Sequence, residues 1–148
     1  MSNGKSILII DDEDNLRSTL TLILERAGYR TRAAADGKEA LKCMSNASFD
    51  LAFLDLKMPG IDGMHLLPEI RHLDPDLPVL ILTANGSLDT AVEALHAGAA
   101  GYLLKPVEPE QIISRISEFF EEQRQVKRSQ KIVREIRGII AEINELEI

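Results

Sequence analysis

Polar side chains that can bind a cation or a phosphoryl group stand at the ends of several short apolar runs in this 148-residue sequence. Asp11 and Asp12 follow the first run, ILII, and Asp55 follows a later run, LAFL. Thr83 ends the run VLILT, and Lys105 follows the run YLL. Each of these residues alone is more often a solvated charge, a helix cap or another structural residue. A suitable polar residue at the end of each of four runs is much less probable by chance.

The residue types in this set favour one kind of chemistry. Three carboxylates a few ångströms apart repel strongly, since one pair at ~4 Å costs about 4 kcal/mol at an effective dielectric of 20. Such a cluster either takes up protons or holds a cation. Ligands that are all oxygen favour Mg²⁺ over Zn²⁺, and bound Mg²⁺ commonly contacts a phosphate. An ammonium and a hydroxyl add hydrogen bonds to phosphoryl oxygens. The set therefore predicts a site that handles a phosphoryl group with Mg²⁺.

The elements that must position these residues follow from the hydrophobic pattern. Five short apolar runs alternate with amphipathic stretches of helical period, which is typical of βαβ units and a parallel sheet. FDLAFLDL and VLILTA are apolar on both faces, whereas YRTRAA alternates in polarity and suits a sheet edge. We expect an α/β fold, a doubly wound five-stranded parallel sheet of the flavodoxin-like type. Its strand order would be 2-1-3-4-5, with helices on both faces. Ligands bind beyond the carboxyl ends of such strands, where the polar set would meet.

Local signals give expectations for the helix ends. Asp14 is a candidate N-cap for the first helix, which Gly28 would end. Pro68 is expected to distort or shorten the third helix. Ser87 or Asp89 would begin the fourth helix.

Charge and composition exclude several classes of function. The net charge is −7, and all of it lies in residues 1–120, because residues 121–148 hold six basic and six acidic residues. Such an acidic domain is a poor binder of nucleic acid. One cysteine, Cys43, rules out an internal disulfide and a multi-cysteine zinc site. No apolar stretch approaches the roughly 18 residues of a membrane span. We therefore expect a cytoplasmic protein without a membrane segment.

The C-terminal region extends the last helix beyond the predicted sheet. No proline occurs after position 109, and isoleucines recur at heptad spacing in Ile132, Ile136, Ile139 and Ile143. The stripe is about two heptads long, so a coiled coil is an open possibility. We expect a main domain over residues 5–122 and a helical extension over 123–148. The sequence ends within the pattern, which favours a chain that continues into a missing effector domain over a stand-alone domain with a helical tail.

The quoted motifs resemble a known family. DD after the first strand, LDLKMPGIDG around the third, TA after the fourth and YLLKP at the fifth resemble the receiver domain of bacterial two-component response regulators. The resemblance covers about residues 5–122. The stretch LTANGSLDTAVEALHAGAAGYLLKP is most similar to receivers of the nitrogen-regulation type.

The resemblance implies a role for each site residue. Asp55 would accept a phosphoryl group from a sensor histidine kinase or a phosphotransfer protein, and the chain would not be an enzyme in its own right. Mg²⁺ would be held by Asp12 and Asp55 directly, by Asp11 through water and by the backbone carbonyl of Lys57. Lys105 would bind the phosphoryl oxygens, and its bond to the following proline would be cis.

The resemblance also implies a switch and a partner surface. Thr83 would bind a phosphoryl oxygen and, together with Tyr102, would act as the switch. The chain would form a homodimer through its C-terminal helix or through the face of the fourth helix, fifth strand and fifth helix.

Two other classes of protein are weighed against this one. A Mg²⁺-dependent phosphatase or phosphotransferase with an aspartyl-phosphate intermediate would use the same carboxylates. Such enzymes typically carry a second aspartate two residues after the nucleophile, and here that position holds Lys57. A flavin-binding protein of the same fold would need a phosphate-binding loop rich in Ser, Thr and Gly after the first strand, where this sequence has DDED.

Overall fold

Five strands and five helices alternate along the part of the chain that the computed structural model describes, residues 4–56, 62–84 and 87–146. The elements are β1 (Ser6–Ile10), α1 (Asp14–Arg26), β2 (Arg30–Ala34), α2 (Gly37–Asn46), β3 (Leu51–Leu54), α3 (Gly63–Leu73), β4 (Val79–Thr83), α4 (Leu88–His96), β5 (Gly101–Leu104) and α5 (Pro109–Leu146).

The strands form one parallel sheet in the order β2-β1-β3-β4-β5. This confirms the predicted flavodoxin-like topology, with the weakly apolar β2 at an edge. β1 lies between β2 and β3, and its last residue, Ile10, is paired with Ala34 on one side and Leu54 on the other. The carboxyl ends of these three strands are therefore level.

The three inner strands are buried on both faces. Leu8 and Ile10 belong to a core cluster that includes Leu66 and Ile70 of α3. Ile7 and Ile9 alternate with Leu8 and Ile10, so they point to the opposite face, yet they are equally buried. Continuous apolar runs are what such strands require, since each side chain leaves water whichever face it occupies.

Several helix ends are fixed by side chains that the sequence signals identified only in part. Asp36, Asp62 and Ser87 occupy N-cap positions, and each side chain accepts a hydrogen bond from a backbone N–H in the first turn. The expectation for Asp14 was wrong, because Glu13 takes the N-cap position of α1 and Asp14 is the first helical residue. Of the two candidates for the start of α4, Ser87 is the N-cap and Asp89 lies in the first turn.

Pro68 was expected to distort or shorten α3, and the expectation of a shortened helix was wrong, whereas distortion stays a prediction. The helix runs through this residue from Gly63 to Leu73. Leu66, Leu67 and Ile70 are fully buried around Pro68, so burial of this apolar face offsets the missing backbone hydrogen bond.

The chain divides into two compact units, Met1–Pro109 and Glu110–Ile148. The second unit is the greater part of α5, in which Ile112, Ile116 and Phe120 are buried. From Val126 onward the large apolar side chains of α5 are exposed, and they include the isoleucines of the heptad stripe. The predicted boundary between residues 122 and 123 stays a prediction. Within the described ranges, no helix combines the length and the apolar character that crossing a membrane would require.

Candidate functional site

Backbone hydrogen bonds continue past the strand ends and fix the main chain of the site. The N–H of Asp11 donates to the carbonyl of Ala34 (3.1 Å), and the N–H of Asp55 donates to the carbonyl of Ile10 (2.9 Å). Lys105 is held in the same way, because its N–H donates to the carbonyl of Thr83 (2.9 Å). Sheet geometry therefore determines where these polar side chains leave the backbone.

Three carboxylates lie together at this edge of the sheet. One carboxylate oxygen each from Asp11, Asp12 and Asp55 lies within 4.8 Å of the other two. Asp11 and Asp55 are buried, with 3% and 7% of their surface exposed, whereas Asp12 is exposed. Hard oxygen ligands at this spacing, open to solvent on one side, fit a Mg²⁺ ion that keeps some of its water.

Lys105 is the cation of the cluster. Its Nζ donates to Oδ2 of Asp11 at 2.7 Å and to Oδ2 of Asp55 at 3.2 Å. The side chain is only 15% exposed, so the ammonium is shielded from water and is directed at the two buried carboxylates. The predicted residues from strands β1, β3 and β5 thus meet at one point.

Burial and charge act against each other on the protonation of this pair. Burial raises the pKa of Asp11 above its usual value, and the hydrogen bonds from Lys105 and from the N–H of Glu13 lower it only in part. For Lys105, burial lowers the pKa, but the Asp11 and Asp55 carboxylates raise it by more, so the net shift is upward. The ammonium is therefore held in its charged form, because it faces two carboxylates in a partly desolvated site.

The loop between β1 and α1 is held by Arg17, which sequence reasoning missed. One guanidinium nitrogen donates to the backbone carbonyl of Asp11 at 2.7 Å, and the other pairs with the carboxylate of Asp14. Oδ1 of Asp11 also accepts a hydrogen bond from the N–H of Glu13 (2.9 Å). The i,i+3 spacing of Asp14 and Arg17 predicts an ion pair on a helix. The hydrogen bond from Arg17 to the Asp11 carbonyl has no such signal, because it depends on the loop conformation.

Gly63 packs directly beneath Asp55. A Cβ atom at this position would lie 2.5 Å from the carbonyl oxygen of Asp55 and 2.6 Å from Cα of Leu56. The N–H of Gly63 donates to the carbonyl of Leu56 at 2.9 Å. The sequence carries no local signal for this close approach.

Two further predicted residues lie on β4 and β5. Thr83 is fully buried at the end of β4. Tyr102 is half-buried on β5, where its backbone is paired with Ile81, and its ring packs against the core cluster. Among the described residues, the Tyr102 hydroxyl is buried without a hydrogen-bond partner, and burial raises its pKa.

Two further expectations concern Lys57 and the peptide bond after Lys105. Lys57 lies outside the described residues, so its predicted carbonyl ligand has no structural account. The Lys105–Pro106 peptide bond is cis, which confirms the expectation from the resemblance.

Comparison with known proteins places the chain in a family. The model of the response regulator receiver domain matches residues 7–117. The transcriptional regulatory protein ZraR of Klebsiella oxytoca is 41% identical over 112 residues, which cover 76% of this chain and 25% of that protein. The response regulator protein PilR of Pseudomonas aeruginosa is 43% identical over 108 residues, which cover 73% of this chain and 24% of that protein. This chain therefore spans about a quarter of the length of these curated relatives.

Solved structures agree with this assignment. A CheY-like receiver domain protein from Methanospirillum hungatei JF-1 has a TM-score of 0.79 at 36% identity, with 82% of this chain and 98% of that chain covered. NtrX from Brucella abortus has a TM-score of 0.77 at 34% identity, with 85% of this chain and 29% of that chain covered. The family match, the sheet order and the cluster of carboxylates and lysine at its carboxyl edge lead to one conclusion: this chain belongs to the receiver domain family of two-component response regulators.

Proposed function

We propose that the chain accepts a phosphoryl group on Asp55, from a sensor histidine kinase or a phosphotransfer protein, and that Mg²⁺ is required. The observation that carries this proposal is the ammonium of Lys105 between the buried carboxylates of Asp11 and Asp55. An ammonium in this position, beside a cluster of three carboxylates whose oxygens lie within 4.8 Å of one another, can bind the oxygens of an incoming phosphoryl group.

Asp55 is the nucleophile in this proposal. A carboxylate oxygen of Asp55 attacks the phosphorus atom, the bond from phosphorus to the donor histidine nitrogen breaks, and an acyl phosphate forms. The backbone bond from Asp55 to Ile10 and the packing of Gly63 beneath the residue hold the nucleophile in place. The product adds roughly one to two negative charges at the edge of the sheet.

In this proposal Asp12, Asp55 and the backbone carbonyl of Lys57 bind Mg²⁺ directly, and Asp11 binds it through water. Bound Mg²⁺ would supply positive charge that offsets the charge of the phosphoryl oxygens. The clustered carboxylate oxygens support the three aspartates as ligands. The part of Lys57 rests on family resemblance alone.

Lys105, Thr83 and Tyr102 would respond to the new charge. The ammonium of Lys105 lies close enough to Asp55 to bind an oxygen of a phosphoryl group attached there. Thr83, at the end of the neighbouring strand, would donate its hydroxyl to a second oxygen. Tyr102 is the switch residue in this proposal. Its hydroxyl is buried without a hydrogen-bond partner among the described residues, so a rotation that exposes the hydroxyl would remove this energetic cost.

The chain acts as a signalling module rather than as a turnover enzyme in this proposal, since the phosphoryl group stays on its own carboxylate. A Mg²⁺-dependent phosphatase or phosphotransferase is not favoured. Lys57 stands where such enzymes typically carry a second aspartate. We place the protein in the cytoplasm, with residues 5–122 as the receiver and 123–148 as a helical extension.

A second copy of the chain is the proposed partner for the exposed apolar surfaces. Ile136 and Ile143 of α5 are about half exposed, and Leu88 and Leu104 expose 80% and 53% of their surface on α4 and β5. Either surface would lose apolar area from water in a homodimer. Nucleic acid is not a proposed partner of this acidic chain.

The phosphoryl proposal is tested by incubation with acetyl phosphate and Mg²⁺, followed by intact mass measurement. We expect the wild type to gain one phosphoryl group and Asp55→Asn to gain none. Asp76→Asn, which removes an exposed carboxylate from the α3–β4 loop, is the matched control and is expected to react like the wild type. A gain that survives Asp55→Asn would overturn the assignment.

The dimer proposal is tested by sedimentation velocity on the full chain. Ile136→Glu combined with Ile143→Glu places charge in the apolar stripe of α5 and is expected to give a monomer when α5 forms the interface. A dimer that persists in this variant assigns the interface to the α4 and β5 surface. Glutamates at Gln130 and Asn144 add the same charge off the stripe and are expected to leave the dimer intact. A wild-type monomer, before and after phosphorylation, would remove the proposal.

A further inference from the structure

We propose that Arg17 is a positioning residue for Mg²⁺ binding, because it holds the peptide that joins Asp11 to Asp12 and so orients the Asp12 carboxylate. The inference rests on the metal site proposed above. It adds a residue that lies outside the set of ligands and acts through the backbone.

The contacts of Arg17 tie the start of α1 to the end of β1. Its Nη1 donates to the carbonyl oxygen of Asp11 at 2.7 Å, and its Nη2 pairs with the carboxylate of Asp14. Its own N–H donates to the carbonyl of Glu13 at 3.0 Å. The side chain is only 18% exposed, so it is more confined than a typical surface arginine.

Planarity of the peptide bond carries this contact to the metal ligand. The carbonyl that Arg17 holds belongs to the Asp11–Asp12 peptide, whose six atoms lie in one plane. Fixing the direction of the carbonyl of Asp11 therefore fixes the position of Cα of Asp12. The direction in which the Asp12 side chain leaves the main chain then follows from the backbone of the loop.

The Asp12 carboxylate is held by fewer contacts than the Asp11 carboxylate. The Asp11 carboxylate is buried and is bonded by both Lys105 Nζ and the N–H of Glu13. The Asp12 carboxylate is exposed, and within the described ranges no hydrogen bond holds it. The backbone on either side of Asp12 is thus its main restraint, and Arg17 fixes one side of it.

The charge of Arg17 weakens Mg²⁺ binding, whereas its hydrogen bonds strengthen it in this proposal. A guanidinium close to the carboxylates would repel Mg²⁺, but its pairing with Asp14 offsets part of this charge. Replacement of Arg17 by lysine separates the effect of its charge from the effect of its geometry. Lysine keeps the positive charge but loses the planar fork that bonds the Asp11 carbonyl and the Asp14 carboxylate together.

The test is calorimetric titration of the full chain with Mg²⁺ alone. Arg17→Lys is expected to weaken Mg²⁺ binding roughly tenfold, the lower end of what loss of an outer-shell partner costs. Arg17→Gln removes the fork and the charge together and is also expected to bind Mg²⁺ more weakly than the wild type. Arg26→Lys changes an exposed arginine in the last turn of the same helix and is expected to bind as the wild type does.

Two measurements distinguish positioning from a general loss of structure. Urea unfolding in EDTA is expected to show Arg17→Lys folded, with amide NMR shifts that differ from the wild type at Asp12 and Glu13. At saturating Mg²⁺ the variant is expected to regain the wild-type rate of reaction with acetyl phosphate. Arg17→Lys that binds Mg²⁺ within twofold of the wild type would overturn the inference. If the wild type itself binds no Mg²⁺, the proposed metal site fails, and the role of Arg17 fails with it.

Discussion

The ammonium nitrogen of Lys105 lies 2.7 Å from Oδ2 of Asp11, although the two residues are 94 positions apart in sequence. β3 and β4 lie between the strands that carry them. A long, flexible side chain is needed to span this distance, and lysine provides it. Lys105 therefore ties the edge strand β5 to the centre of the sheet through the proposed phosphoryl site.

Replacement of Lys105 by methionine tests the ammonium without removing the side-chain volume. We expect Lys105→Met to react with acetyl phosphate at least about 10-fold more slowly, because a preorganised charge near the phosphoryl oxygens is lost. Intact mass spectrometry over time gives the rate. Lys42→Met removes an exposed lysine from α2 and is expected to react at the wild-type rate. Equal rates for both variants would contradict a role for Lys105.

Removal of the charge on Asp11 is expected to stabilise the metal-free protein. Because the pKa of Asp11 is raised in the folded state, its contribution to stability is fully present below its ordinary pKa and is lost as the pH rises through the raised value. At pH 7 the ionised carboxylate therefore costs stability. We expect Asp11→Asn to raise the free energy of unfolding in EDTA, because the buried negative charge is removed.

Urea unfolding at pH 7 and at about pH 3.5 checks this prediction for Asp11. The stabilisation by Asp11→Asn is expected to shrink in acid, where the wild-type carboxyl is protonated as well. A variant less stable than the wild type at pH 7 would show that the hydrogen bond with Lys105 outweighs the cost of burial.

Two glycines are expected to respond to alanine in opposite directions. At Gly63 the new Cβ would lie 2.5 Å from the Asp55 carbonyl oxygen, so the backbone of α3 or of the segment that follows β3 must shift. We expect Gly63→Ala to lower the free energy of unfolding by about 3 kcal/mol. At Gly138, in the interior of α5, a Cβ meets nothing within 4 Å, so alanine is expected to stabilise the helix by about 1 kcal/mol.

Circular dichroism during urea unfolding measures both glycine variants. Gly63→Ala is also expected to slow phosphoryl acceptance, because the displaced backbone carries Asp55. A Gly63→Ala protein with wild-type stability would mean that the contact beneath Asp55 relaxes without cost.

Removal of the Tyr102 hydroxyl is expected to stabilise the unphosphorylated protein. The hydroxyl is buried, and the described residues offer it no hydrogen-bond partner. An unsatisfied buried polar group costs about 1–3 kcal/mol, so we expect Tyr102→Phe to raise the free energy of unfolding by about 1 kcal/mol. Urea unfolding of the unphosphorylated protein measures the difference. A fall in stability would show that the hydroxyl has a favourable contact.

Most of the fold was predictable because the signals are local and strong. The runs around Leu8, Phe53 and Ile81 are apolar on both faces, which specifies inner parallel strands, and this confirms the predicted topology. The convergence of Asp11, Asp55 and Lys105 followed from topology alone, since parallel strands end at the same edge.

The features that were missed depend on tertiary packing or on the conformation of a loop. Pro68 carries an intrinsic penalty in a helix, but burial of the apolar face of α3 overrides it. Asp14 is a better cap than Glu13 by residue type. The loop conformation nevertheless places Glu13 at the N-cap, in a turn in which Asp11 accepts a hydrogen bond from the N–H of Glu13. No local signal shows that Gly63 lies under Asp55, because the contact exists only once α3 packs against the end of β3.

The hydrogen bonds that extend the sheet past β1 and β3 limit how this domain can change during evolution. Side chains alternate between the faces of a strand, so one residue inserted into β1 would reverse the faces of its apolar residues relative to Asp11. The same holds for β3 and Asp55, which are bound to β1 through the carbonyl of Ile10. Insertions and deletions are therefore expected in loops away from this edge, such as the turn between α3 and β4, while divergence at the site itself proceeds by substitution.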